Sequence, residues 1–271
     1  MNFYDCCTYN NEELVLDIRL NYLNKFVKKF IIVESKFTHQ GKKKDKFFNI
    51  KNFKKFENKI KYFLFDKFPD NLSNWGRENF QRNFHKNTIQ DLHDDDYIMI
   101  SDIDEIPNMG KIRNINNFKY TVFEQLNFSL KFNSVNKTHL KWYGTRMCKK
   151  KNLKSPQWLR TLKVHKKYSV FRIDKIFSKT YYSKFKIFKD CGWHFGWLMK
   201  PNEIVQKVNS YSHTEHNIPL YNDSSYIEKC IKNQINFLDK NDILILSNDI
   251  EKLPEYVKNN QKKFSEWIVK K

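Results

Sequence analysis

The first hundred residues alternate between short apolar runs and longer stretches in which apolar residues return every three or four positions. Residues 2–7, 30–33, 60–65 and 97–101 are apolar runs of the length expected for buried strands. Residues 12–25 read as a helix, with Leu16, Leu20, Leu23 and, just beyond it, Val27 at helical spacing and Asn10 and Glu13 placed as a capping box would require. Residues 75–92 read as a second helix after a turn cluster at 70–74, and the polar loop after Glu34 runs through His39, Gly41 and lysines 42–44. The resulting β-α-β-β-α-β order, with connections long enough to cross over, predicts an α/β fold: a mainly parallel sheet with helices on both faces.

Beyond Pro107 the pattern changes. Residues 120–133 and 140–147 alternate as antiparallel or edge strands do, and 186–195 reads as a further strand ending in GWHF. Residues 149–154 and 163–167 are basic loops, while 202–210, 226–238 and 255–271 read as helices. Without an internal repeat or a linker rich in Gly, Ser or Pro, one domain spanning 1–271 is expected. It divides into an N-terminal half (1–107), a middle portion (108–217) and a helical extension (218–271).

The fourth apolar run breaks into Asp102-Ile103-Asp104-Glu105 before Pro107. In extended chain Asp102 and Asp104 share one side while Ile103 packs on the other. Two carboxylates at the C-terminal end of a buried strand repel in a poorly solvated place, and a divalent cation relieves that cost. Ligands of open α/β sheets also sit at such strand ends. Asp94 and Asp96 lie at the strand's opposite end, roughly 16 Å away at about 3.3 Å per residue, and read as a solvated turn. The RENFQRN stretch supplies Arg77, Glu78, Gln81 and Arg82 on one helix, suited to gripping a diphosphate or sugar hydroxyls. Near the chain's second half, CGWHFGW offers Trp193 for stacking on a sugar and His194 as a third metal ligand, and SHTEH adds His213 and Glu215.

The formal charge is +20, yet only seven of the 50 basic residues are arginine. Abundant Lys, Asn, Ile and Phe are what an AT-rich genome, such as a bacterium's or a large DNA virus's, would give. Spread evenly, they are weak grounds for specific nucleic-acid readout but favour anionic small substrates. Five cysteines without CxxC spacing argue against a zinc site or a disulfide framework and fit a reducing compartment. A polar N-terminus and the lack of any apolar run near 18 residues lead us to expect a soluble, cytoplasmic protein.

Taken in order, YDC (4–6), NEE with LDIRL (11–20), IIVES…THQGK (31–42), REN-F-QRN (77–83), SDIDEIP (101–107), GWHF (192–195) and SHTE (212–215) resemble glycosyltransferase family 17. That group includes the bisecting β-1,4-N-acetylglucosaminyltransferase of N-glycans. The resemblance implies a GT-A fold with a nucleotide-sugar-binding half and an acceptor-side half. It also implies Mn²⁺ or Mg²⁺ on the D-x-D pair, and inverting transfer from a UDP-sugar, UDP-N-acetylglucosamine foremost, to a glycan or other hydroxyl acceptor. Under it Asp102, Asp104 and His194 hold the metal, and Arg77, Gln81, Arg82, Arg160 and Trp193 meet the donor. Glu34 takes the ribose or uracil, and Glu215 or Asp190 serves as base. The vertebrate members look membrane-anchored, whereas no anchor is read in this chain.

Two other classes fit part of the pattern. A metal-dependent phosphohydrolase or nuclease would use the same acidic cluster but needs more carboxylates for two metals. A nucleic-acid-binding protein would lose affinity steeply with salt and would be indifferent to Asp102.

Overall fold

The structure, a computed structural model, describes residues 1–162, 164, 185–247 and 249–269. The basic loop at 163–167 therefore lies outside the described residues except for Val164. Strands β1 (Phe3–Thr8), β2 (Lys29–Ser35), β3 (Ile60–Phe65) and β4 (Tyr97–Asp102) pair in parallel in the order β3-β2-β1-β4. Helices α1 (Glu13–Leu23) and α2 (Asn74–Thr88) make the crossovers.

The alternation of side chains decides what each face meets. Cys7, Phe30, Ile32, Tyr97 and Met99 face α1, where Leu16, Ile18, Leu20 and Leu23 are fully buried. Burial of each such leucine contributes about 1.5–3 kcal/mol. Tyr4, Cys6, Ile31, Ile98 and Ile100 point the other way, onto Ile89 and Leu92 beyond α2 and Leu159 of α3 (Pro156–Arg160). Both faces of the parallel half are thus covered, as expected for strands read as near-continuous apolar runs.

Past Pro107 the sheet becomes mixed. β6 (Tyr120–Ser129) and β8 (Lys141–Lys149) pair antiparallel, and β8 continues the sheet from β4. Short strands β5 (Glu105–Pro107), β7 (Ser134–Asn136) and β11 (Leu244–Leu246) add antiparallel edges, while β9 (Phe185–Phe188) and β10 (Gly192–Gly196) join β6 in parallel. A small apolar cluster links α4 (Pro201–Val208) to α5 (Ser224–Lys232) through Ile204, Val208, Ile227 and Phe237.

Several local expectations give way to tertiary context. The capping box does not form: Asn10 donates its backbone N–H to Glu12, and its side chain reaches Ser210 instead. The strand expected at 186–195 is two strands, broken where Asp190 adopts φ 47° and Gly192 φ 144°. A Cβ on Gly192 would sit 2.4 Å from the Ile106 carbonyl, so only glycine fits there. Of the expected terminal helix at 255–271, the described residues form α6 (Glu255–Asn259) and a 3-10 turn at Ser265–Trp267, consistent with the poor helix propensity of Asn259 and Asn260. Asp96 is buried rather than solvated, because its carboxylate accepts the N–H groups of Asn2 and His93. All five cysteines are buried with free thiols. Among the described residues no helix is long and apolar enough to cross a membrane.

Candidate functional site

The acidic turn Ile103–Asp104 between β4 and β5 forms part of a cleft of about 310 Å³. Its other walls come from the β1 end (Thr8, Tyr9), the loop holding His39, α2 (Glu78, Gln81, Arg82), Trp142 of β8, His194 of β10 and Lys207 of α4. The cleft therefore opens at the carboxyl ends of β1 and β4, where the turn's register, Thr8 beside Asp102, places it.

The two aspartates of the turn differ in kind. Asp102 accepts from Arg82 Nη2 at 2.9 Å and Arg160 Nη2 at 2.7 Å. Burial alone would raise its carboxyl, but Arg160 and Arg82 outweigh it and hold Asp102 well below the usual carboxylate range. Asp104 has no such fork. Its nearest charged partners are His194 Nε2 and Lys207 Nζ, each 3.8 Å away, and burial pushes its carboxyl above the ordinary value. Asn127 Nδ2 donates to the His139 carbonyl, so its oxygen faces His194 and takes that ring's Nδ1–H at 2.8 Å. Nε2 is thereby turned toward Asp104, the orientation in which a second partner prepares a metal-binding histidine.

Behind the turn, Glu105 is buried and accepts from Arg160, from Trp142 Nε1 at 2.7 Å and from the Asp102 N–H at 3.0 Å. Beneath it, Arg19 forms a buried pair with Asp5 and donates to the backbone carbonyls of Asp102, Ile103 and Glu105. Arg146 lies in the same electrostatic neighbourhood; burial, then Arg160, lowers its guanidinium to about 9. Three of the seven arginines, Arg19, Arg82 and Arg160, thus bond one turn in a chain rich in lysine. Fork geometry explains the choice, since a single ammonium cannot hold two acceptors in plane.

On the opposite wall, His39 joins three sequence motifs. Its Nε2–H donates to Gln81 Oε1 at 2.9 Å, its Nδ1 accepts from Ser212 Oγ at 3.1 Å, and Arg77 donates to its carbonyl. Burial holds the ring below its ordinary pKa, hence neutral.

A family model for glycosyltransferase family 17 matches residues 1–143. The chain belongs to glycosyltransferase family 17. No curated protein matches the chain. The family match covers β1 to the start of β8, including the acidic turn and Trp142, whereas His194, Lys207 and His213 are brought to the family 17 cleft by elements beyond it.

Of the residues singled out in the sequence, Gln81, Arg82, Asp102, Asp104 and His194 line this cleft together. Arg160 meets Asp102 and Glu105, and Arg77 braces the His39 loop. Glu34 is fully engaged elsewhere, accepting from Lys44, the Phe47 and Phe48 N–H groups and the Tyr62 hydroxyl. Trp193 points into the core, packing edge-on against Tyr22, because alternation along β10 gives the cleft His194 and not its neighbour. Asp190 lines a separate depression, and Glu215 is exposed, paired with the cleft-lining His213 at 2.6 Å.

Lys207 and Trp142 are not among the residues singled out in the sequence, and Glu12 and His39 stand there in the NEE and THQGK motifs without an assigned role. Lys207 bonds Glu12 at 3.2 Å; burial would lower its ammonium, but Glu12 and then Asp104 raise it. Nothing local marks these residues, since each depends on contacts made far along the chain. Gly144 gave no signal either, yet a Cβ there would lie 2.3 Å from Gln125 Oε1 and 2.5 Å from Glu105 Cδ. Gly144→Ala should destabilise the protein by about 1–3 kcal/mol, as overpacking does, and misplace Glu105. A chemical-denaturation midpoint equal to the parent's would show that the strand can yield.

Proposed function

We propose that this family 17 glycosyltransferase moves a sugar, N-acetylglucosamine foremost, from a UDP-sugar to a hydroxyl of a glycan or glycoconjugate, with inversion and with Mn²⁺ or Mg²⁺. The observation that carries the reading is the pair Asp104 and His194, a carboxylate and an imidazole nitrogen that face each other 3.8 Å apart at the cleft. Among the described residues no group of three or more His, Cys, Asp or Glu could hold a metal ion. Mg²⁺-type ions often take one or two protein carboxylates and complete their shell with phosphate oxygens and water, so an ion can arrive with its substrate. Asp104 and His194, with Asp102 behind them, would hold it. Bound there, the ion would supply Lewis-acid neutralisation of charge on the departing diphosphate.

The remaining roles fall to the chain itself. Lys207 and the outer edge of Arg82 offer positive charge to the same leaving group. His39, Gln81 and Ser212 form a fixed polar wall toward the nucleotide half. Glu215, one ion pair removed from the cleft wall, is the base candidate; Asp190 faces another depression and is set aside.

A thermal-shift experiment tests this directly. UDP with Mn²⁺ at 100 times its dissociation constant should stabilise the protein by about 2.7 kcal/mol, raising Tm by roughly 5–10 °C, while UDP alone gives much less. Equal shifts with UDP and with UDP plus Mn²⁺ would remove the metal from the reading. No shift with any UDP-sugar would remove the donor.

A further inference from the structure

Tryptophan is a costly residue to leave in water, yet Trp75 and Trp142 stay 47% and 38% exposed, and both line the same cleft. Trp142 is held firmly. Its Nε1–H donates to buried Glu105 at 2.7 Å, and one ring face stacks on His194 with centroids 4.3 Å apart and planes 9° from parallel. The indole thus has a fixed plane beside Asp104 before any ligand arrives.

Its place in the sheet separates it from the nucleotide half. β8 flanks β4 on one side and β1 on the other, so Trp142 stands across the acidic turn from the His39, Gln81 and Arg82 wall. Leu140, 44% exposed, lies two residues earlier and lines the separate depression that holds Asp190.

We propose that Trp142 is the platform on which the acceptor's pyranose ring stacks while its hydroxyl meets the reacting centre. The inference rests on the glycosyltransferase reading above and names one determinant of its acceptor. A pyranose carries a face of C–H bonds, slightly positive, that complements the negative face of an indole. A rigid aromatic offers this area with little rotamer entropy to lose. The donor sugar is also a pyranose, so the test must tell the two apart.

Saturation-transfer NMR on the full chain with methyl glycopyranosides, in UDP and Mn²⁺, reads binding without turnover. The parent should transfer saturation mainly to ring C–H protons. Trp142→Ala should weaken glycoside affinity about 10-fold or more, and Trp142→Phe, which keeps a face but lacks the N–H, should stay within about threefold. Trp142→Gln keeps a donor toward Glu105 without a ring and should match the alanine variant, which also covers failure of the latter to fold. The Tm shift caused by UDP-N-acetylglucosamine should be unchanged in each. Absence of glycoside binding by the parent, unchanged affinity in the alanine and glutamine variants, or equal loss in the phenylalanine variant would overturn the platform. So would loss of the nucleotide-sugar shift with glycoside binding intact, which would reassign Trp142 to the donor. Failure of the transferase reading looks different: glycoside binding would still depend on Trp142, but no UDP would be released.

Discussion

Asp104→Asn should reduce metal-dependent UDP release by about 100-fold or more while leaving Tm unchanged or higher. The activity loss follows from removing a charge that would hold the ion, an interaction worth several kcal/mol at about 1.4 kcal/mol per decade. The stability expectation follows from the other side of the same fact. Burial raises the Asp104 carboxyl above its unfolded value, so at neutral pH its ionised form opposes folding, and the neutral amide relieves that opposition. Asp102→Asn should behave differently. Its carboxylate sits between Arg82 and Arg160, so the amide leaves two guanidinium groups short of a partner and should cost stability as well as activity. Because the Asp102 side chain is 35% exposed, solvent screening keeps that cost to about 1–2 kcal/mol. Paired melts and UDP-release assays on the two variants check this; full activity in Asp104→Asn would end the metal assignment.

The largest loss of stability is expected beneath the turn. Arg19→Met removes one partner of a fully buried pair and leaves Asp5 charged without compensation, a change that costs about 3–5 kcal/mol. Denaturant titration should show it as a fall in midpoint with an unchanged slope. The double replacement Asp5→Leu with Arg19→Met should recover much of the stability, since neither charge is then stranded. It should not recover activity, because Arg19 also holds the carbonyls of Asp102, Ile103 and Glu105. A single variant within about 1 kcal/mol of the parent would mean that water reaches the pair.

What could be read in advance was whatever depends on neighbours in sequence. The parallel half, both crossover helices and the placement of Asp102 and Asp104 at the end of β4 follow from local periodicity and one abrupt change from apolar to acidic. Alternation also carried information that went unused: within Gly192–Gly196, Trp193 and His194 must face opposite ways, so both could not serve one cleft. Arg19 gave a similar clue, falling on the apolar face between Leu16 and Leu23, where an unpaired charge would not be tolerated. The partners of Lys207, Trp142 and His39 lie 37 to 195 positions away, from Trp142–Glu105 to Lys207–Glu12, and no short window of sequence contains them. The same holds for Glu215, whose partner His213 meets the ring of Trp75, 138 positions earlier, edge to face.

The five buried cysteines have a practical consequence. Burial pushes Cys7, Cys148 and Cys191 up to about 12, so in the intact protein these sulfurs are neither reachable nor charged enough to attack an alkylating reagent. Alkylation of any of these three would therefore record a molecule whose sheet had come apart, and its rate would clock that opening without an attached dye or an added label.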